Sequence, residues 1–204
     1  MSQKTAMITI AGRPNVGKST LLNRLVGEKI AIVSHKPQTT RNRISGVLTR
    51  GATQLVFIDT PGFHKPRTKL GDYMVNVVKE SVSDVDLILL LVDPIANVGA
   101  QEAALIEQIK AKRAPAILVI NKVDTLENKE ELLPVIAAYQ AAYPFDAVVP
   151  IAAKFGDGVQ TLLDECEKYA VDSPFFFPEE LERTAKAQAT ALSRYLASLA
   201  DTDE

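Results

Sequence analysis

Gly12-Arg13-Pro14-Asn15-Val16-Gly17-Lys18-Ser19-Thr20 conforms to G-x-x-x-x-G-K-[ST], and its surroundings are the ones that pattern needs. Met7-Ile8-Thr9-Ile10-Ala11, just before it, is apolar and β-branched and predicts a buried strand. Leu21-Leu22-Asn23-Arg24-Leu25-Val26, just after it, predicts a helix that stops near Gly27. A loop between a strand end and a helix start gathers backbone N–H groups into one concavity, where the helix dipole already favours an anion. Gly12 and Gly17 let the backbone approach phosphate oxygens with no Cβ in the way. Asn15, Val16, Gly17, Lys18, Ser19 and Thr20 are therefore the expected phosphate-binding residues. Lys18 should reach the β- and γ-phosphates, and the Ser19 hydroxyl should sit on Mg²⁺.

Working outward, 204 residues suit one sizeable α/β domain with a small appendage. A net charge of −2 with 24% charged residues gives no global basic field for nucleic acid, although a local patch is compatible with it. The single cysteine, Cys166, excludes an internal disulfide and a cysteine-based zinc site within one chain. It stands in Leu162-Leu163-Asp164-Glu165-Cys166-Glu167, which predicts a packed helical thiol. No charged-then-apolar leader precedes the first strand, so no signal peptide is expected. The longest apolar run, Leu87-Ile88-Leu89-Leu90-Leu91-Val92, is too short for a bilayer and reads as a central strand. A soluble, cytoplasmic protein is the expectation.

The segment from Glu28 to Arg43, interrupted by Pro37 and centred on Gln38-Thr39-Thr40-Arg41, shows no period and reads as a mobile loop. Residues 44–50 and 54–58, joined by Gly51-Ala52, predict a hairpin whose first strand is an edge. A helix is expected over about 70–83, with Tyr73, Met74, Val77 and Val78 at helical spacing. Strand and helix then alternate: strand 87–92, helix 101–110 with Ala104, Leu105, Ile106 and Ile109 inward, strand 116–120, helix 130–143 with Pro134 placed to kink it, strand 147–151, helix 159–169. The fold class is α/β, a P-loop NTPase of three α/β/α layers with a mostly parallel sheet and one antiparallel edge strand. Ligands of such sheets lie at the carboxyl ends of the strands, and each motif sits at such an end.

Asp59-Thr60-Pro61-Gly62 follows a run of β formers, which brings its carboxylate beside the phosphate cradle. Asp59 can there hold Mg²⁺ through a water, and the Gly62 N–H can bond the γ-phosphate; a surface turn would carry the same letters, so the separation from the phosphate loop is what supports this reading. Asn121-Lys122-Val123-Asp124 selects the base. The Asp124 carboxylate can accept from N1–H and the 2-amino group of guanine, whereas adenine leaves a buried carboxylate unpaired, a mismatch costing on the order of several kcal/mol. The Asn121 amide can meet N7 and brace neighbouring loops, and the Lys122 stem can lie along the ring. Ala152-Ala153-Lys154, after the last strand, would complete the pocket through a backbone N–H to the base oxygen.

With these strings in this order, the chain resembles the translation-factor-related P-loop GTPases. The phosphate loop, Gln38-Thr39-Thr40-Arg41, Asp-Thr-Pro-Gly-Phe-His and Ser173-Pro174-Phe175-Phe176-Phe177-Pro178-Glu179-Glu180 together resemble the Era family of bacterial ribosome-assembly GTPases, over about residues 7–180. The resemblance implies a G domain over 1–172 that hydrolyses GTP slowly. Thr39 and Thr40 would contact nucleotide, with Thr40 on Mg²⁺ and the γ-phosphate, and residues 30–43 and 60–70 would be switch regions. Lys18, Thr40, Asp59 and Gly62 become the expected catalytic set. Asn15 matches a potassium ligand of related GTPases, and K⁺ beside the phosphates could stand in for an arginine finger. The implied partners are the 30S ribosomal subunit and its 16S rRNA, with peripheral membrane association, and the implied state is a monomer. One departure is from Ras-like enzymes and one is from the resembling family itself. Phe63 occupies the position at which Ras-like enzymes carry a water-orienting glutamine, and the resembling family also has an apolar residue there. No glycine follows Gly158, so the G-x-x-G loop of the family's RNA-binding KH domain is not expected, and 173–204 reads as a linker and helical tail. In that tail Pro178 with two glutamates starts a helix, and Leu181, Ala185, Leu192, Tyr195 and Leu199 form a weak apolar stripe.

His35, Lys36, Arg41 and Arg43, and Lys65, Arg67 and Lys69, cluster near the two switches and could meet RNA phosphate, though solvated loops carry such charges routinely. His35 and His64 read as loop residues rather than bases. Phe175-Phe176-Phe177, flanked by prolines, reads as a pin holding the tail to the domain. The rival functions are a nucleotide-dependent binding module with negligible hydrolysis, favoured by Phe63, and an ATP-using P-loop enzyme, opposed by Asp124.

Overall fold

The computed structural model describes residues 2–27, 43–59 and 85–177, with residues 43–45 and 59 described by their backbone alone. The expected loop around Thr39 and Thr40, the switch at 60–70 with Gly62, Phe63 and His64, the helix over 70–83 and the tail helix beyond Pro178 all lie outside the described residues.

Six strands, β1 (Lys4–Ala11), β2 (Arg43–Arg50), β3 (Thr53–Asp59), β4 (Leu87–Val92), β5 (Ala116–Ile120) and β6 (Ala147–Pro150), stand in the order β2-β3-β1-β4-β5-β6. β3, β1, β4, β5 and β6 are mutually parallel, and β2 runs antiparallel to β3 as the edge of a hairpin, the architecture the sequence predicts. The central strands are buried on both faces, so their side chains divide by parity rather than by polarity. Leu87, Leu89 and Leu91 of β4 with Ile117 and Val119 of β5 pack against α1 (Lys18–Val26) and Val159, Leu162, Leu163 and Cys166. Ile88, Leu90 and Val92 with Ala116, Leu118 and Ile120 pack against α2 (Ala100–Lys112) and α3 (Leu132–Ala142). Cys166 lies in α4 (Val159–Glu167), fully buried as expected, and burial pushes its thiol up to about 12.

Three local expectations need correction. Residues 130–143 do not form one helix: a short 3₁₀ turn, Lys129–Glu131, precedes α3 and is stabilised by a capping box in which the Glu131 side chain accepts from the Asn128 N–H at 2.8 Å. Pro134 then falls in the first turn of α3, where its missing N–H is no loss, so it has no ladder to kink. Ala104 of α2 is exposed, and the buried positions of that helix are Glu102, Leu105, Ile106 and Ile109.

A seventh strand, β7 (Val171–Asp172), is too short to leave a period in the sequence. It pairs antiparallel with Lys4 and Thr5 of β1, at the end of β1 that β4 does not reach. The chain continues along this edge. The Phe175 N–H donates to Gln3, and the fully buried amide of Gln54 both accepts from the Phe177 N–H at 3.1 Å and donates to the Phe177 carbonyl at 2.8 Å. Phe177 packs against the second core cluster, Phe175 is half-buried and Phe176 is exposed, so the outermost ring of the triplet takes no part in the pinning. Gln54→Leu should therefore free residues 173–177 and cost about 1–3 kcal/mol. Urea unfolding, with amide exchange at Phe177, checks it; unchanged exchange would show that the amide does not hold the segment.

Candidate nucleotide-binding site

β1 ends at Ala11, and the loop from Gly12 turns the chain into α1. Two glycines are required by what surrounds them. A Cβ on Gly12 would stand 2.8 Å from both the Leu91 carbonyl oxygen and Val16 Cγ1. Gly17 has φ +105°, and a Cβ there would lie 2.4 Å from Asn121 Nδ2, so both backbone and space demand glycine. Val16 is fully buried and anchors the loop in the core, while Asn15 is exposed and also left-handed, at φ 64°. The Lys18 ammonium donates to the Gly12 carbonyl and, at 3.4 Å, to the Arg13 carbonyl, which arches the side chain back over the loop. Ser19 and Thr20 are exposed in the first turn of α1. These are the features of a cradle for an oxyanion at a helix N-terminus.

Asn121 connects this cradle to the rest of the site. It is buried at 3% exposure; its Nδ2 donates to the Val16 carbonyl at 3.0 Å, and its Oδ1 accepts from the Ala153 N–H at 3.0 Å. One amide thus braces the phosphate loop against the loop after β6. Lys122, at φ 59°, directs its ammonium to the Asn15 carbonyl at 2.9 Å and to Asp93 Oδ1 at 2.9 Å. Asp124 lies in a 3₁₀ turn, Val123–Thr125, with its side chain exposed. In the last loop the Ala152 N–H donates to Asp157 and the Ala153 N–H to Asn121, so Lys154 is the member of the trio left to offer an N–H to a base. Arg24 of α1 supports that loop through the Ala153 carbonyl at 3.1 Å and the Lys154 carbonyl. An open groove of about 440 Å³ runs between α1 and this loop, lined by Thr20, Asn23, Arg24, Gly27 and Lys154.

For a divalent ion, the described residues hold no group of three or more His, Cys, Asp or Glu side chains that could bind one. The Ser19 hydroxyl is exposed at this strand end, and the backbone of Asp59 closes β3 next to β1. Hard oxygen donors, few in number and completed by phosphate oxygens, suit Mg²⁺.

Sequence reading missed Asp93 and Glu102. Asp93 immediately follows the apolar run of β4, the same strand-end position as the other motifs, so the positional rule alone would have marked it. Arg13 donates to Asp93 and, through Nε, pairs with Glu102 at 3.3 Å. Burial works to raise the Asp93 pKa, but the bonds from Arg13 and Lys122 outweigh it and hold the carboxyl below its usual value.

Asn121→Ala would leave the Val16 carbonyl and the Ala153 N–H buried without partners. A loss of about 2–4 kcal/mol in the stability of the nucleotide-free protein is expected. Urea unfolding measures it; a loss under 0.5 kcal/mol, on the order of a neutral surface change, would count against the brace.

Comparison with known proteins agrees with this geometry. The family model described as 50S ribosome-binding GTPase matches residues 7–122. GTPase Era of Ruminiclostridium cellulolyticum is 50% identical over 181 residues, which cover 89% of this chain and 60% of that protein. GTPase Era of Geotalea uraniireducens is 49% identical over 178 residues, 87% of this chain and 60% of that protein. A crystal structure of Era in complex with MgGDPNP and nucleotides 1506–1542 of 16S ribosomal RNA superposes with a TM-score of 0.71 at 36% identity, over 87% of this chain and 60% of that one. The FeoB G domain of T. maritima, at 24% identity and a TM-score of 0.58, shares the fold. The chain spans about 60% of the length of the Era proteins it matches. With a phosphate loop, a base-reading loop and a final loop braced at one end of a parallel sheet, this chain belongs to the P-loop GTPase family that the 50S ribosome-binding model describes, and its likeness within that family is to Era.

Proposed function

We propose that the chain is a guanine-nucleotide switch that binds and hydrolyses GTP and acts in assembly of the small ribosomal subunit. The observation that carries the first part is the Asn121 brace, which brings the phosphate loop and the last loop together around the strand ends where Asp124 stands. In this reading residues 1–172 form the G domain and 173–204 a linker and tail. Asn15, Val16, Gly17, Lys18, Ser19 and Thr20 hold the phosphates, Thr39, Thr40, Asp59 and Gly62 attend the γ-phosphate, and Asn121, Lys122, Asp124, Ala152, Ala153 and Lys154 form the base pocket. Mg²⁺, when bound to Ser19, Thr40 and, through water, Asp59, supplies charge neutralisation at the β- and γ-oxygens. Lys18 stabilises the same oxygens directly, and Asn15, by its match to a potassium ligand of related GTPases, would hold a K⁺ beside them. The ribosomal part rests on likeness: an Era structure at 36% identity contains a 16S rRNA segment. Among the described residues no helix is long and apolar enough to cross a membrane; a monomer acting in the cytoplasm is the setting the resemblance supports.

Phe63 favours a second reading, a binding module with negligible hydrolysis, because an apolar side chain cannot orient the attacking water.

Calorimetry should detect GDP and GTP binding and at least ~100-fold weaker ATP binding, since adenine lacks the two donors that guanine would give Asp124 and leaves that carboxylate unpaired beneath the base. Asp124→Asn should shift preference toward xanthine nucleotides; unchanged guanine preference would remove Asp124 from the pocket. Single-turnover phosphate release, measured in K⁺ and in Na⁺ with and without small ribosomal subunits, separates the two readings. Slow release that K⁺ and subunits accelerate supports the switch, equal rates in the two salts remove the K⁺ site, and no release in any condition leaves the binding module.

A further inference from the structure

The charged cluster behind the phosphate loop is larger than nucleotide contact explains. Asp93 takes no part in the expected base or phosphate contacts, yet its carboxylate receives Arg13, from the phosphate loop, on one oxygen and Lys122, from the base-reading loop, on the other at 2.9 Å. Lys122 in turn reaches the Asn15 carbonyl at 2.9 Å, and Arg13 is held from its far side by Glu102 at 3.3 Å. The two carboxylates are largely covered, at 13% and 10% side-chain exposure, whereas the two cations are 36% and 41% exposed. The cluster contains two positive and two negative groups, so it adds no net charge beside the cradle. Its effect is geometric: β4 and α2, rigid elements of the core, hold the loops from β1 and β5 at one spacing. One contact, Arg13 Nη to Asp93, is a charge-assisted hydrogen bond, the kind strong enough to fix side chains in place, and the Lys122 and Glu102 contacts flank it as ion pairs.

We infer that Asp93 is a positioning residue for nucleotide binding, tying Arg13 and Lys122 into one unit so that the phosphate tail and the base meet a preassembled site, with Glu102 buttressing Arg13. This rests on the nucleotide-binding reading above. It follows that Asp93 should govern how long a nucleotide stays rather than which base is chosen, because base choice lies with Asp124. Gly99 leaves room for this placement: a Cβ there would stand 2.6 Å from Glu102 Oε2, so a larger residue would make that carboxylate shift.

The test uses the full chain and a fluorescent N-methylanthraniloyl-GDP, with dissociation followed by stopped flow well below the melting temperature. Asp93→Ala should raise the dissociation rate by about tenfold or more, the scale set by one charge-assisted bond. Asp93→Asn, which keeps the shape and loses the charge, should fall between, and the preference for GDP over ADP should not move. Arg13→Ala should accelerate release less, and Arg13→Ala added to Asp93→Ala should add little further, since both act through one joint. Unchanged dissociation in both Asp93 variants, even with a lowered melting temperature, would assign Asp93 a purely structural role and overturn the inference. Strictly multiplicative effects of the two alanines would overturn it as well. Failure of the unaltered chain to bind GDP would instead overturn the nucleotide reading, and this inference with it.

Discussion

A single buried amide, that of Asn121, ties together the loops of the candidate site. The phosphate loop follows β1, whereas the loops after β5 and β6 lie more than a hundred residues further along the chain. Parallel strands bring their ends to one side of the sheet but do not align the loops with one another. Asn121 does that, donating to Val16 and accepting from Ala153 within the core. A buried polar group costs heavily unless both its donor and its acceptor are used, and here both are used on opposite neighbours. The same side chain dictates that position 17 be glycine, since its Nδ2 occupies the space a Cβ would need.

Around that amide the site is preassembled by groups that need not touch a ligand. Arg24 carries the last loop on α1, and Asp93 and Glu102 carry Arg13 and Lys122 on β4 and α2. The core makes these supports rigid: β4 and β5 are buried on both faces, with alternate residues packing α1 and α4 on one side and α2 and α3 on the other. Ligand binding would not have to order these three loops, because they are already bonded to one another.

Much of this was legible beforehand. Apolar runs bounded by glycine, proline and polar clusters mark β1, β4 and β5 to within a few residues, and the glycine and lysine spacing marks the cradle. Belonging to a GTPase family, and the likeness to Era, were legible from the order of the motifs. What escaped reading has physical causes. β7 is two residues long and is held by the edge of β1 rather than by any period of its own. The turn before α3 is decided by a capping box that local apolar spacing does not show. Asp93 and Glu102 resemble ordinary strand-end and helix acids until Arg13 is brought beside them.

The letters alone therefore determined the chemistry on offer: where a glycine-rich loop meets a helix N-terminus, which polar side chains stand at strand ends, and which strands must lie buried. They could do so because those properties are local, residing in residue type and in spacing along a strand, turn or helix. Only the tertiary structure decided which carbonyl each amide and ammonium would take, that Ala153 would spend its N–H on Asn121, and that Asp93 would join two loops from different strands. Those choices depend on distances between residues remote in sequence, and packing of the sheet is what sets them.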